Sequence, residues 1–150
     1  TGPSGRGSGW ACDVRKRSPY AAYDKVQFDE VLYNEGDSYA RYMVRMKEIE
    51  QSLHILEQLV DNIPEGDYLA KTKPIIKVPE GRYFKEVEAA RGAFGIYLES
   101  RGDKFPYRLK VNSPGFNLVG AVDHMTRGSK IADLIAIGGS LDYVVPDIDR

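Results

Sequence analysis

Residues 38–61 carry apolar side chains at steps of three and four residues. The stripe consists of Tyr39, Tyr42, Met43, Met46, Ile49, Leu53, Leu56 and Val60. Charged side chains lie off the stripe, at Arg41, Arg45, Glu48 and Glu57. Asp37 is a suitable N-cap before the stripe, and the Ile63-Pro64 pair marks its end. The pattern therefore predicts one long amphipathic helix.

A second pattern predicts an antiparallel hairpin. The stretch from Val87 to Leu98 is largely apolar, and residues 107–111 alternate strictly between polar and apolar. A glycine-containing turn at residues 100–104 separates them, as in a hairpin. Val26 and Phe28 give a weaker strand signal upstream.

The predicted first strand of this hairpin contains unusual residues. Gly92 and Gly95 indicate that another backbone or a ligand comes close. Arg91 stands among apolar neighbours. An unpaired charge in such a strand costs several kcal/mol, so Arg91 is expected to have a partner or to line a wet cavity.

The C-terminal third predicts a short helix capped by Asp123 and then a buried helix. Residues 129–137 are apolar on nearly all sides, which is typical of a buried helix, and Gly138-Gly139 closes it. The tail LDYVVPDIDR then mixes acids with apolar residues. Together the patterns predict an α+β fold: a long amphipathic helix, an antiparallel hairpin and a buried C-terminal helix.

Composition narrows the class of protein. The 150 residues fit one domain, with 42% hydrophobic and 29% charged residues. A net charge of −1 gives no indication of nucleic-acid binding. Cys12 is the single cysteine, which excludes an internal disulfide and favours a reducing, cytoplasmic setting. No apolar run approaches the ~20 residues of a membrane span. Residues 1–9 are rich in glycine and serine, which predicts a flexible segment.

Catalytic motifs are scarce. The sequence contains no Ser/His/Asp motif, no phosphate-binding loop after a strand, no HExxH and no CxxC. His54 and His124 stand alone, and we expect structural roles for both. The residues by themselves predict a pocket with embedded polar groups and no particular reaction.

Three longer stretches carry a family resemblance: GDSYARYMVRMKEIEQSLHIL, EAARGAFGIYLESRGDKFPYRLKVNSPGF and IADLIAIGGSLDYVVPDIDR. With DVRKRSPYAAYDKVQFD upstream, they resemble the quinone-pocket subunit of NADH-quinone oxidoreductase, respiratory complex I. The resemblance covers the whole chain. It implies a fold similar to the large subunit of nickel-iron hydrogenases.

That hydrogenase subunit carries a DPCxxCxxH motif whose cysteines hold nickel. By the resemblance, the motif falls on residues 142–150, where Asp142 keeps the acid. Val144 and Asp147 stand at the cysteine positions, and Arg150 stands at the histidine. Nickel needs thiolates there, so the resemblance implies the scaffold without the metal. It implies a quinone-pocket or cluster-proximal site of Arg91, Asp142, Val144, Asp147 and Arg150.

The resemblance also implies a role and a location. Electrons from NADH would pass through iron–sulfur clusters of other subunits to a quinone, with coupled proton translocation. The chain would bind no metal or cofactor itself, would contact the iron–sulfur subunit, and would lie peripherally at the cytoplasmic face of the membrane. Asp142, Asp147 and Arg150 would form one charged set that tunes the nearby redox centres.

The resemblance implies, finally, that residues 1–150 are the C-terminal part of a longer subunit. Residues 1–9 would then be internal to the native chain, and the part alone would have no catalytic residues and no activity. Two alternatives remain: a structural or assembly domain of a membrane-bound redox complex, or a hydrogenase-related subunit that has lost its nickel site.

Overall fold

The computed structural model describes residues 1–149, and Arg150 lies outside the described residues. The helices are α1 (Gly2–Arg6), α2 (Val14–Arg17), α3 (Ser38–Val60), α4 (Pro114–Thr126) and α5 (Asp133–Leu141). The strands are β1 (Gly81–Ala89), β2 (Gly92–Ser100) and β3 (Arg108–Asn112), and a 3₁₀ turn spans Val145–Asp147. The predicted α+β class is confirmed. Within residues 1–149, no helix combines the length and apolarity that a membrane crossing needs.

The strands form one antiparallel sheet in the order β1-β2-β3. The predicted hairpin is confirmed as β2 and β3, in which Ile96 lies opposite Val111. A single first strand from Val87 to Leu98 is wrong, because the chain turns at residues 90–91 and β1 pairs with β2. Gly92 has a φ of +126°, a conformation that glycine adopts easily. Arg91 therefore lies in the turn between two strands and not inside one.

Helix α3 begins as predicted, since the Asp37 carboxylate accepts a hydrogen bond of 2.7 Å from the Ala40 N–H. Its orientation is the reverse of a simple amphipathic helix. Leu53 of the apolar stripe is 56% exposed, whereas the charged Arg41 is 3% exposed. The charged face is turned inward because its side chains find carbonyl and hydroxyl partners on α5 and the Arg6 guanidinium on α1.

The exposed stripe of α3 has a regular spacing. Its exposed members alternate in steps of three and four, as in the seam of a coiled coil. They are Tyr39, Tyr42, Met46, Ile49, Leu53, Leu56 and Val60. We call these seven residues the α3 seam. Sequence periodicity identified the stripe, but it could not say which face of the helix the rest of the chain would cover.

The exposure of the α3 seam has a measurable consequence. Replacing Leu53 with glutamine, which has a similar helix propensity, is expected to change the free energy of unfolding by about 0.5 kcal/mol or less. The matched core change is Val44→Ala on the same helix, where Val44 is 0% exposed. It is expected to cost about 1–3 kcal/mol. Urea unfolding of both variants checks the contrast, and a larger loss for Leu53→Gln would contradict the exposed orientation.

Residues 1–9 are not the flexible segment that their composition predicted. Helix α1 lies there, with Gly2 and Pro3 buried and Arg6 only 2% exposed. The glycines allow close packing: a side chain on Gly7 would lie 3.1 Å from the Pro3 carbonyl oxygen. The buried core lies where α1, α2 and α5 meet α3 and the sheet, and it includes Cys12, Val14, Ala40, Val44, Ile55, Ala93 and Leu141.

The segment around Val26 and Phe28 is not a strand. Its backbone bonds to side chains of α3 instead of to a neighbouring strand. Gln58 accepts from the Gln27 N–H and donates to the Gln27 carbonyl oxygen, at 2.8 and 2.6 Å. Gln51 accepts from the Asp29 N–H at 2.8 Å. The alternating apolar residues therefore indicated an extended segment, but side chains of α3, and not a neighbouring strand, form the hydrogen bonds to its backbone.

The two C-terminal helices also differ from prediction. Asp123 lies within α4, and Ser113 caps that helix. Gly138 and Gly139 lie within α5 and do not end it. The expected burial of the last helix is not found among the described residues, since Ile135 is 82% exposed. Helix α5 packs through its C-terminal end, where Arg45 of α3 donates to its last carbonyls.

Candidate functional site

The structure brings Arg91 and Asp142 together from positions 51 residues apart. Arg91 Nε donates to the Asp142 carbonyl oxygen at 2.6 Å, and Nη2 donates to Asp142 Oδ1 at 3.2 Å. Both side chains are partly exposed, at 33% and 40%. The expectation that Arg91 has a partner is confirmed. The hairpin turn is thereby joined to the chain just after α5.

Asp142 has a left-handed backbone conformation, with φ +56° and ψ +40°. Aspartate tolerates this region better than most residues, and helices commonly end at a residue in this conformation. The Asp142 N–H donates to the Gly138 carbonyl oxygen at 3.0 Å. The carboxylate therefore leaves the helix axis at the residue where α5 stops, which directs it to Arg91.

Two arginines of α3 hold the end of α5. Arg41 donates to Ser140 Oγ from Nε and Nη2, at 3.0 and 2.9 Å. Arg45 Nη1 donates to the Ser140 carbonyl oxygen at 2.7 Å, and Nη2 donates to the Leu141 carbonyl oxygen at 3.4 Å. Guanidinium groups are favourable at a helix C-terminus because its last carbonyls lack partners and carry partial negative charge. Arg41 and Arg45 thus position the residue that precedes Asp142.

Asp147 belongs to a different contact. Ser113 donates its hydroxyl to Asp147 Oδ2, and the Gly115 N–H donates to Ser113 Oγ at 3.2 Å. The carboxylate therefore lies at the first turn of α4, where the helix dipole favours negative charge. Val144, half-buried and extended, accepts at its carbonyl from the Asp147 N–H at 3.0 Å.

The expected single charged set of Asp142, Asp147 and Arg150 is thus divided in the described residues. Asp142 is bound by Arg91, whereas Asp147 is bound by Ser113. Arg150 lies outside the described residues, so its part in the set stays a prediction.

Sequence reasoning missed a buried ionic cluster beside this site. It consists of Arg6, Asp13, Arg15, Glu48 and Glu88, and we call it the Arg6 cluster. Arg6 lies 2.6 Å from Glu48 through Nε and 2.9 Å from Glu88 through Nη1. Arg15 Nη2 lies 2.6 Å from Asp13 Oδ2. The cluster joins α1, α2, α3 and β1.

The Arg6 cluster shifts the proton affinities of its members. Burial favours the neutral form of Asp13, but the hydrogen bonds and charge of Arg15 outweigh it and lower the pKa of Asp13. Burial raises the pKa of Glu48 above its usual value, although the charge of Arg6 opposes that rise. Burial lowers the pKa of Arg45, against the charges of Asp142 and Glu48.

A cavity of about 380 Å³ connects the Arg6 cluster with the candidate site. Its wall includes Arg6, Arg15, Arg45, Glu48, Glu88 and Asp142. The sequence contained a usable signal for it: Arg41, Arg45, Glu48 and Ser52 recur at steps of four and three, which puts polar groups on one helix face. Such a cavity can hold charge, hydrogen bonds and protons. Among residues 1–149, no group of three or more His, Cys, Asp or Glu side chains could bind a metal.

The chain is similar to known proteins of respiratory complexes. The family model "Respiratory-chain NADH dehydrogenase, 49 Kd subunit" matches residues 1–77 and 71–150. The chain is 69% identical to an NADH-quinone oxidoreductase subunit of Bacteroides fragilis, over 100% of this chain and 28% of that protein. It is 56% identical to an NADH-quinone oxidoreductase subunit of Desulfotalea psychrophila, over 100% of this chain and 41% of that protein.

A solved structure agrees. A chain of the membrane-bound sulfane sulfur reductase, an archaeal respiratory membrane complex, superposes with a TM-score of 0.91 at 42% identity. The match covers 100% of this chain and 42% of that chain. In every one of these matches, the 150 residues span less than half the length of the relative.

Proposed function

Because the chain belongs to the family of the 49 kDa subunit of respiratory-chain NADH dehydrogenase, we propose that it functions within an NADH-quinone oxidoreductase. Electrons from NADH pass through iron–sulfur clusters of other subunits to a quinone, whose pocket this chain helps to form. The complex couples this transfer to proton translocation. The chain lies peripherally at the cytoplasmic side of the membrane, next to the iron–sulfur subunit.

The observation that carries this proposal is the bond between Arg91 and Asp142. It joins the hairpin turn to the tail at the position that corresponds to the hydrogenase metal motif. Charge close to a redox centre shifts its potential, so this pair tunes the transfer of electrons to the quinone. Val144, two residues further on, contributes to the apolar wall. Arg150 belongs to the same proposed site.

The residues do not fit a nickel centre. Val144 and Asp147 stand where thiolates are needed, and valine has no donor atom. Cys12, the single cysteine, is buried near α2, where Arg17 Nη1 lies 3.4 Å from its sulfur. Thiolate ligation of an iron–sulfur cluster requires several cysteines, so residues 1–150 do not hold one, and the family resemblance assigns the cluster to a neighbouring subunit. The chain acts on the electron path through its shape and its charges.

Replacing Asp142 with asparagine in the full-length subunit tests the proposal. Asparagine keeps the left-handed backbone accessible but removes the charge that faces Arg91. NADH oxidation with quinone is expected to fall about tenfold, the effect of losing about 1.4 kcal/mol of stabilisation. NADH oxidation with a soluble artificial acceptor should remain at the parent rate, because that acceptor does not need the quinone pocket.

The matched control is Asp123→Asn, whose 77% exposed side chain pairs with Arg127 on the surface of α4. It should leave both rates unchanged. Native gels establish that each variant complex is assembled. A parent-level quinone rate in an assembled Asp142→Asn complex would contradict the site assignment, while leaving the family unaffected.

A second function is favoured by the α3 seam. Seven exposed apolar side chains in coiled-coil spacing are typical of a helix that packs on other helices. This observation supports the assembly role, in which the chain chiefly binds other parts of the complex. In that case, seam variants such as Leu53→Gln would abolish the assembled complex on native gels, and Asp142→Asn would leave quinone reduction normal.

A further inference from the structure

The Arg6 cluster contains one more carboxylate than guanidinium. Three acids, Asp13, Glu48 and Glu88, are paired with Arg6 and Arg15. At full ionisation this paired set carries a charge of −1, which is unfavourable for groups this deeply buried. Arg45 lines the same cavity, but its Nη1 and Nη2 donate to the Ser140 and Leu141 carbonyl oxygens and not to an acid of the cluster. A buried cluster with an excess acid relieves that charge by binding a proton. The question is which of the three carboxylates receives it.

Two of the carboxylates are held as anions by well-directed donors. Asp13 accepts from Arg15 Nε at 3.0 Å and from Arg15 Nη2 at 2.6 Å. Glu88 accepts from Arg6 Nη1 at 2.9 Å and from the Val14 N–H at 3.0 Å. Hydrogen bonds to the charged form stabilise that form, so neither group is the favoured place for the proton.

Glu48 differs from both. Its Oε1 lies 2.6 Å from Arg6 Nε, but the N–H is not directed at it, and within residues 1–149 neither atom makes a well-directed hydrogen bond. The Glu48 side chain is 18% exposed. Arg6 also serves Glu88, so one guanidinium is shared between two carboxylates. Glu48 is therefore the acid of the cluster whose ionised form is least well satisfied.

Glu48 faces the cavity that Asp142 also lines. A volume of about 380 Å³ has room for several water molecules at about 30 Å³ each. Arg45 lies between the two acids: it bonds to the carbonyls just before Asp142, and its Nε has no hydrogen-bond partner within residues 1–149. A proton can thus cross from Glu48 to the Arg91–Asp142 pair through solvent, without crossing the protein core.

We propose that Glu48 is a proton-donating group that supplies the site at Asp142. This inference rests on the proposed function. Reduction of a quinone to a quinol takes two electrons, which come from the iron–sulfur cluster of the neighbouring subunit, and two protons. One proton leaves Glu48, whose O–H bond breaks as an O–H bond forms on the reduced quinone, and the second proton comes from solvent. The Glu48 carboxylate then rests against Arg6 until solvent returns a proton.

The charged groups of residues 1–149 that face Glu48 or line its cavity bear on this step. Arg6 on α1, Arg15 on α2 and Arg45 on α3 favour its anion, and Asp13, Glu88 and Asp142 favour its neutral form. Burial also favours the neutral form and raises the pKa of Glu48. The quinone-dependent rate of the parent complex is therefore expected to fall as the pH rises through the pKa of Glu48, since the donor must be protonated.

The test compares Glu48→Gln with Glu50→Gln in the full-length subunit of the assembled complex. Glu50 lies on the same helix, 61% exposed and paired with Lys47. The infrared spectrum of the oxidised parent complex should contain a protonated-carboxyl band that Glu48→Gln lacks and Glu50→Gln retains. The quinone-dependent rate should fall about 100-fold in Glu48→Gln alone, at the low end of what a positioned proton-transfer group contributes. The artificial-acceptor rate should stay constant.

Glu48→Asp keeps a titratable group and provides a second variant if Glu48→Gln fails to assemble. It should shift the infrared band and retain more quinone activity than Glu48→Gln. An unchanged band in the assembled variants, or a parent-level quinone rate in Glu48→Gln, overturns the inference. The infrared band does not depend on the identity of the acceptor. If Asp142→Asn keeps the parent quinone-dependent rate while Glu48→Gln loses the infrared band, the proposed site at Asp142 is wrong, but Glu48 is still shown to carry a proton.

Discussion

Replacing Arg6 with methionine is expected to lower the free energy of unfolding by about 3–5 kcal/mol, because it leaves buried carboxylates without their cation. Arg6 is 2% exposed and lies within 2.9 Å of both Glu48 and Glu88. It also donates to the Cys12 carbonyl oxygen at 3.2 Å. Methionine keeps an unbranched, flexible stem but has no charge, so the loss reports the missing guanidinium together with a smaller contribution from the missing volume.

Urea unfolding at neutral pH measures this loss. Arg82→Met is the matched control: the Arg82 side chain is 75% exposed and 3.9 Å from Glu99, so the change should cost less than about 1 kcal/mol. In the Arg6 variant, Glu48 loses the charge that opposes the effect of burial, so its pKa rises further above its usual value. The penalty is therefore present at neutral pH and should shrink as the pH falls through the raised pKa of Glu48. A small loss, or one that does not depend on pH, would contradict the role of Arg6 as the cluster's cation.

The Arg6 cluster shows why sequence patterns mispredicted residues 1–9. Glycine and serine content describes the freedom of the unfolded chain, and it predicted a flexible segment. The structure uses the same glycines for close approach, and Arg6 anchors the segment through Glu48 and Glu88, which are far away in sequence. Propensity and composition are local signals, so they contain no information about such distant partners.

Helix α3 shows the complementary limit. Its bounds and its Asp37 cap followed from local chemistry and are confirmed. The direction of its apolar stripe could not be predicted in this way. Periodicity separates a polar face from an apolar face, but it does not say which of them packs against the rest of the chain. Here Arg41 and Arg45 turn inward because the unpaired carbonyls and the serine at the end of α5 need donors. A polar face at helical spacing can be a buried face whenever it has partners.

Some residues of the candidate site could be predicted from the sequence, and others could not. Physical reasoning on Arg91 required a partner, but only the family resemblance indicated the tail that contains Asp142. Asp147 was assigned to the same charged set, yet the described residues place it on Ser113 at the start of α4. Glu48 gave no signal as a single residue. Glu48 becomes a candidate proton donor only in the folded chain, where α1, α2, α3 and β1 bring three carboxylates together with two guanidinium groups.

Replacing Gly2 with alanine is expected to cost about 2–5 kcal/mol, the sum of a strained backbone and an overpacked contact. Gly2 has a φ of +69°, and a side chain there would lie 2.5 Å from the Arg91 carbonyl oxygen and 2.6 Å from Gly92 Cα. These are backbone atoms of a tight turn, so no side-chain rotation relieves the overlap. Gly102→Ala is the control: its φ is +80°, but no atom of residues 1–149 lies within 4 Å of the new side chain. It should cost only the strain of about 1–2 kcal/mol.

The difference between these two alanine variants isolates the steric contact, and that contact has a functional consequence. Arg91 is the residue that Gly2→Ala pushes, and Arg91 Nε holds the Asp142 carbonyl oxygen at 2.6 Å. In the assembled complex, Gly2→Ala should therefore lower the quinone-dependent rate while sparing the artificial-acceptor rate, and Gly102→Ala should spare both. Unfolding measurements check the expected loss of stability, and the quinone-dependent and artificial-acceptor rates check the functional consequence. If the two variants had the same unfolding free energy and the same quinone-dependent rate, the turn at Arg91 would move aside without cost. The contact with Gly2 would then not be what holds Arg91 against Asp142.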